Sequence, residues 1–222
     1  VFLKKHLAKV SGKTIWSPSL FTVSEFFAQS ADAAPASEIR RFFLLWQAYN
    51  ELLAAEEKEA VTAESFLPMA EIILRDFDAL DYDLVNPRAI YSHLGDVALI
   101  SQQFGDFTEE QQAFLHAFWS SFSRERQVAV QQKFIELWQR LPLLYTLFRE
   151  KMDFHSLAGT ASIYRDLAEG NATHPGFVDA YRQVAFVGFN ALNKCEATVF
   201  KQWQATGKAL FYFDADTYYM ED

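Results

Sequence analysis

Two kinds of hydrophobic pattern divide this chain. Near both ends, short apolar runs of four or five residues alternate with stretches that carry helix-capping residues. Between about residues 31 and 169, apolar residues instead recur at intervals of three and four, which is the spacing of one face of an α-helix. The pattern therefore predicts an α/β part that is interrupted by a long helical part.

The clearest α/β unit lies near the carboxyl end. Residues 184–188 and 209–213 are apolar runs rich in branched and aromatic residues, which is typical of buried strands. Between them, Asn193 and Glu196 form a capping box, and Gly207 is placed to end the helix. This order predicts parallel strands joined by a right-handed crossover. Because parallel sheets usually have more strands and are covered on both faces, we expect further strands to join them.

The amino end is predicted to be α/β as well. Residues 2–10 have the pattern of an amphipathic helix, and Gly12 is placed to end it. Residues 14–17 form a short apolar run, which we expect to be a strand of the same sheet. Thr22 then matches a helix N-cap, with Glu25 at the capping-box position.

The helical part is far longer than an ordinary connection between strands. Its apolar stripes include one from Ile39 to Leu53 and one from Phe66 to Phe77, and a capping box at Thr108 predicts a further helix. At about 140 residues, it is best explained as an inserted subdomain. We therefore divide the chain into a partial α/β domain, formed by residues 1–30 and 170–222, and a helical insertion of residues 31–169.

Composition favours a packed globular protein in a reducing compartment. Hydrophobic residues make up 50% of the chain, and Cys195 is its single cysteine, which excludes an internal disulfide and fits the cytoplasm. No apolar run approaches the roughly 18 residues of a membrane span, so no membrane partner is expected. The chain begins at Val1 without a methionine and stops soon after a predicted strand. We therefore expect it to be a fragment of a longer protein.

The charge of the chain is unevenly distributed. The net charge of −9 combines +3 in residues 1–30, −10 in residues 31–169 and −2 in residues 170–222. An acidic middle repels phosphate backbones, so sequence-independent DNA binding by the chain as a whole is not expected. A local site near Lys4 and Lys5, at the basic amino end, stays open.

Several patterns resemble chemical motifs but lack the neighbours that the chemistry needs. Residues 11–14 contain the Gly-Lys-Thr of a phosphate-binding loop, but Leu7 occupies the position of its first glycine. Cys195 has no histidine nearby in the sequence and is predicted to be a core residue. The aromatic stripes are also predicted to be core. Four aspartates lack the glycine and distal glutamate of a calcium loop and are predicted to lie on a solvated helix end: Asp76, Asp78, Asp81 and Asp83.

The remaining candidates lie at the carboxyl ends of the predicted strands, where open parallel sheets bind their ligands. These positions are residues 188–190 and 214–218. One hypothesis that they leave open is a small-molecule enzyme that uses Asp214 and Asp216.

Segments spread over most of the chain together resemble the helicase-like region of bacterial AddB/RecB-type PD-(D/E)XK exonucleases. The matching pieces, in order, read FLKKHL from residue 2, WSPSLFT from 16, LRDFDALD from 74, SIYRDL from 162, VAFVGFNALNKCE from 184 and FYFDADTYY from 211. The resemblance implies a RecA-like domain of the superfamily-one helicase fold, with a helical subdomain inserted. The expected fold is thus helix-dominated α/β, with a partial P-loop-NTPase-like parallel sheet and a large all-α insertion.

The resemblance also implies that this copy does not hydrolyse ATP. Residues 184–188 match the Walker B strand, which in an active helicase ends in an Asp-Glu pair that holds Mg²⁺. Gly188 and Phe189 stand there instead, and neither side chain can bind a metal ion. No catalytic residue and no cofactor are therefore expected in this chain. ATP and Mg²⁺ binding would require a region before Val1.

Seven residues are predicted to face nucleic acid or nucleotide: Lys4, Lys5, Thr22, Asn190, Asp214, Asp216 and Tyr218. The implied function is that of an inactivated helicase-like domain in an exonuclease of DNA repair and recombination, whose nuclease module would follow Asp222. It would act as a DNA-handling or subunit scaffold. Its partners would be DNA, met through the full-length protein, and a helicase subunit.

A second hypothesis assigns the chain no role with nucleic acid. The acidic middle and the lack of a basic stripe also fit a helical protein-interaction module on a small α/β base.

Overall fold

The computed structural model describes residues 2–92, 128–189 and 191–212, and helices dominate it. The helices are α1 (Phe2–Ser11), α2 (Val23–Phe27), α3 (Glu38–Ala55), α4 (Ala63–Tyr82), α5 (Pro87–Ser92), α6 (Val128–Phe154), α7 (Thr160–Glu169) and α8 (Lys194–Ala205). The strands are β1 (Ala34–Pro35), β2 (Leu157–Ala158), β3 (Val184–Val187) and β4 (Ala209–Tyr212), and 3₁₀ helices span Ala28–Ser30 and Pro175–Ala180.

Helices α3 to α6 pack into a first hydrophobic core. The predicted apolar stripes supply it, and Leu45, Ala48 and Leu144 are completely buried. Side-chain caps begin the two central helices, because Ser37 accepts a hydrogen bond from the Arg40 amide and Thr62 accepts one from Ser65. The helical character predicted for residues 39–53 and 66–77 is therefore confirmed. The helix predicted from Thr108 lies outside the described residues.

A short parallel ladder joins the two ends of the helical part. β1 pairs with β2, with the Ala34 amide donating to the Ser156 carbonyl at 2.9 Å and the Ala36 amide to the Ala158 carbonyl at 3.0 Å. The chain therefore leaves for the first core and returns from it at adjacent points. This ladder was not predicted, because two-residue strands carry no periodicity.

The predicted strand, helix and strand near the carboxyl end are confirmed. β3 and β4 pair in parallel, with Val184 opposite Ala209, and α8 covers one face of the pair. The rings of Phe186 and Phe200 lie 4.0 Å apart at the centre of this second core. The capping box also forms, since the Glu196 amide donates to Asn193 Oδ1 at 2.8 Å.

The second core also receives residues from α2 and α7. Phe26 and Phe27 of α2 are buried in it, together with Tyr164 and Leu167 of α7. Helix α7 falls inside the range assigned to the helical insertion, yet its buried residues Tyr164, Leu167 and Ala168 belong to this core. The division into residues 1–30 with 170–222 and residues 31–169 stays a prediction.

The strand predicted at residues 14–17 is wrong. Residues 13–22 have no regular secondary structure, and Trp16 is 99% exposed. An apolar run becomes a strand by pairing its backbone and burying one face, and this run does neither. The opposite face of the β3–β4 pair stays open, with Val187 68% and Tyr212 55% exposed.

Within the described ranges, no helix is both long enough and apolar enough to cross a membrane.

Candidate functional site

Among the described residues, the carboxyl end of β3 carries no carboxylate. Gly188 has a φ of +76°, and a Cβ added there would meet nothing within 4 Å. Its amide donates to the Tyr212 carbonyl at 3.3 Å, while the ring of Phe189 turns toward Phe200 and Phe211. Four predicted site residues beyond the two strands lie outside the described residues, so their roles stay predictions: Asn190, Asp214, Asp216 and Tyr218.

The structure places the other predicted site residues at the amino end. Thr22 caps α2, since its side chain accepts from the Glu25 amide at 3.2 Å and its own amide donates to Glu25 Oε2 at 2.8 Å. The hydrogen bond from the Thr22 amide to the Glu25 carboxylate, and then the one that the Thr22 hydroxyl donates to Oε2 at 3.0 Å, lower the pKa of Glu25. Lys4 and Lys5 are exposed on α1, and residues 12–21 separate the end of that helix from Thr22.

A buried carboxylate, Asp81, lies where α4, α6 and α7 meet. It is 4% exposed, and the Tyr145 hydroxyl donates to it at 2.5 Å. Arg149 and Arg165 approach its two oxygens at 3.8 and 3.5 Å. Burial raises the pKa of Asp81, and the tyrosine and the two arginines partly offset that rise. The carboxylate thus ties the last turn of α4 to one helix of each core.

Two further ion pairs surround Asp81. Arg149 makes two hydrogen bonds to Asp166, at 2.8 and 2.9 Å, and Arg41 contacts Asp78 at 2.5 Å. Together with Asp81, these side chains line a cavity of about 110 Å³. Arg41 Nε and Arg149 Nη1 are buried there and have no hydrogen-bond partner among the described residues.

This charge cluster is suited to holding helices together rather than to chemistry. Asp78, Asp81 and Asp166 are each paired with an arginine, so their charges are balanced by guanidinium groups on neighbouring helices. Among the residues that the structure describes, no group of three or more His, Cys, Asp or Glu side chains could hold a metal ion.

Comparison with known proteins gives no match. No family model, no curated protein and no solved structure matches this chain. A proposal for its function therefore depends on its own residues and on their arrangement.

The prediction of a solvated aspartate cluster is wrong for Asp81. A signal for its burial was present, because Asp81 follows Phe77 by four residues and so lies on the same apolar helix face. Its partners Tyr145, Arg149 and Arg165 are 64 to 84 residues distant in the chain, and no local pattern could have revealed them.

The prediction that Cys195 is a core residue is confirmed. Its side chain is completely buried at the start of α8, and its thiol donates to the Asp81 carbonyl at 3.1 Å. Burial raises the pKa of the thiol to about 12. Cys195 is therefore a neutral packing residue at neutral pH and not a nucleophile.

Proposed function

We propose that this chain is a helicase-like scaffold domain of a RecB-family, AddB-like exonuclease and handles DNA without hydrolysing ATP. The observation that carries the proposal is the parallel β3–α8–β4 unit, whose first strand leads into Gly188 and Phe189. In P-loop helicases, an acidic pair at this strand end holds Mg²⁺. Glycine and phenylalanine offer no side-chain oxygen, so the end of β3 lacks the acidic pair.

The course of the helical part supports the proposal. An insertion into a RecA-like domain must leave and return at neighbouring points, and the β1–β2 ladder provides that arrangement around residues 36–156.

In this proposal the α/β part is an incomplete RecA-like, P-loop-NTPase-like domain. ATP and Mg²⁺ bind only if residues preceding Val1 supply a phosphate loop. DNA, met through the full-length protein, and a helicase subunit are the proposed partners in the cytoplasm.

A phosphate-release assay tests the absence of hydrolysis. The 222-residue chain is incubated with ATP and Mg²⁺, with and without single-stranded DNA, beside an active superfamily-one helicase as a positive control. We expect no release above the protein-free rate in either condition. DNA-stimulated release that an Asp214→Ala variant abolishes would overturn the proposal, because it would assign catalysis to this chain.

A groove on the helical part favours the second candidate, a protein-interaction module. Ile39 and Leu67 line it and are 71% and 43% exposed, and Glu38, Glu71 and Arg75 lie beside them. An apolar groove with charged neighbours is suited to the apolar face of an amphipathic helix. This candidate predicts no salt-dependent binding of single-stranded DNA. Binding that weakens after charge reversal at Lys4 and Lys5 would count against it.

A further inference from the structure

Residues 3–20 form an amino-terminal arm that lies outside both hydrophobic cores. Every residue of the arm is exposed except Leu7 and Ser11, which are half-buried. The arm is attached at its carboxyl end, where the ring of Phe21 lies 6.0 Å from the rings of both Phe26 and Tyr181. The second core therefore anchors a largely exposed segment at its carboxyl end.

The arm presents a tryptophan with both ring faces open to solvent. Trp16 is 99% exposed, whereas tryptophan usually buries much of its large apolar surface. Pro18 follows two residues later, and its fixed φ limits the number of conformations that the segment adopts. An exposed indole on a segment of restricted backbone conformation is suited to stacking on a planar group.

The arm is basic, although the chain as a whole is acidic. Residues 1–24 contain four lysines and no aspartate or glutamate, while residues 31–169 carry a net charge of −10. Lys5 and Lys9 are four positions apart and lie on one face of α1, and Lys13 precedes Trp16 by three residues. An extended chain covers those three residues in about 10 Å, so a cation lies within reach of whatever stacks on the indole.

We propose that the amino-terminal arm binds single-stranded DNA, with a base stacked on Trp16 and lysines paired with the phosphates. The proposal rests on the proposed function, because it names the surface through which the chain handles DNA. Proteins that bind single strands without sequence preference combine aromatic platforms with positive charge in this way. In duplex DNA the bases already stack on one another, so no base face is available to stack on the Trp16 indole. The bound DNA strand would lie next to Thr22, because Thr22 directly follows Phe21, the residue that attaches the arm.

Fluorescence anisotropy with a labelled oligothymidylate tests the proposal on the full chain. We expect Trp16→Ala to weaken binding by about 5- to 150-fold, whereas Trp16→Phe retains most of the affinity. Replacing Lys4 and Lys5 together by Glu should weaken binding and reduce the slope of log Kd against log salt by about 1.4. The control is Lys201→Glu, an exposed lysine on α8, which should bind like the wild type.

The outcomes distinguish failure of the arm proposal alone from failure of the proposed function. If the wild type binds single strands but the arm variants bind equally well, the arm proposal is overturned while a DNA-handling role stands. If the lysine variant weakens binding and Trp16→Ala does not, or if Trp16→Ala weakens binding to duplex to the same extent, the stacking proposal is overturned. If the wild type does not bind single strands at low salt, both proposals fail. Thermal unfolding of each variant, expected at the wild-type temperature, excludes misfolding as the cause.

Discussion

At the scale of single residues, Asp81 contacts residues of three helices, α6, α7 and α8. No pattern in the sequence predicted these contacts. Its side chain accepts from Tyr145 and pairs with two arginines, and its backbone carbonyl accepts from Cys195. A buried ion pair contributes little net stability when it is intact, but loss of one partner leaves the other charges desolvated and unpaired. Replacing one charged member of the cluster should therefore lower the stability of the fold.

Replacing Asp81 by alanine should lower the free energy of unfolding by about 3 kcal/mol, because it leaves the Tyr145 hydroxyl and part of two guanidinium groups buried without a partner. Urea unfolding followed by circular dichroism measures the change. The matched control is Asp76→Ala, an exposed aspartate on the same helix, for which we expect less than about 0.5 kcal/mol. A loss below about 1 kcal/mol at Asp81 would show that the cluster does not hold the helices together.

Cys195 should make stability fall at alkaline pH. Its pKa is raised from 9.0 to about 12 in the folded state, so above pH 9 the unfolded chain releases the thiol proton while the folded chain retains it. The thiol's contribution is complete below about pH 8 and is lost as the pH rises toward 12. Between pH 8 and 10, wild type should lose about 1.4 kcal/mol more than Cys195→Ala in urea unfolding. Equal losses would show that the thiol ionises normally in the fold.

At the scale of elements, local signals were predictable and long-range pairing was not. Local sequence predicted the capping boxes at Thr22 and Asn193, and it predicted that Gly12 and Gly207 end helices. The structure contains all four features. The β1–β2 ladder joins residues more than 120 positions apart. Residues 14–17 resemble a strand locally, but pairing and burial decide strands, and local composition contains neither.

The capping box of α8 supplies a prediction for one element. Asn193→Ala removes the acceptor for the Glu196 amide and should cost about 1 kcal/mol of stability. Because α8 covers one face of the β3–β4 pair, the loss should appear in global urea unfolding and not only as fraying of the helix. Gln202→Ala, at an exposed position of the same helix, is the control and should stay within about 0.5 kcal/mol. An unchanged midpoint for Asn193→Ala would show that the cap contributes nothing.

At the scale of the whole molecule, the part of the chain that the structure describes combines two cores, a charge cluster between them and an exposed basic arm. The helix-rich α/β character was predictable from the periodicity of the apolar residues. The exposure of Trp16 was not, because the same apolar run fits a buried strand as well as a free arm. At the strand-end site, the sequence shows that Gly188 and Phe189 follow β3 and that neither residue carries a carboxylate.

We propose that the chain handles DNA without coupling to ATP hydrolysis. The most direct test is a titration of single-stranded DNA at fixed Mg²⁺ and low salt, with and without ATP. We predict salt-dependent binding with the same Kd in both conditions, because the strand end at Gly188 offers no group to hold the metal of a bound nucleotide. Absence of binding, or a Kd that changes several-fold when ATP is added, would contradict the account.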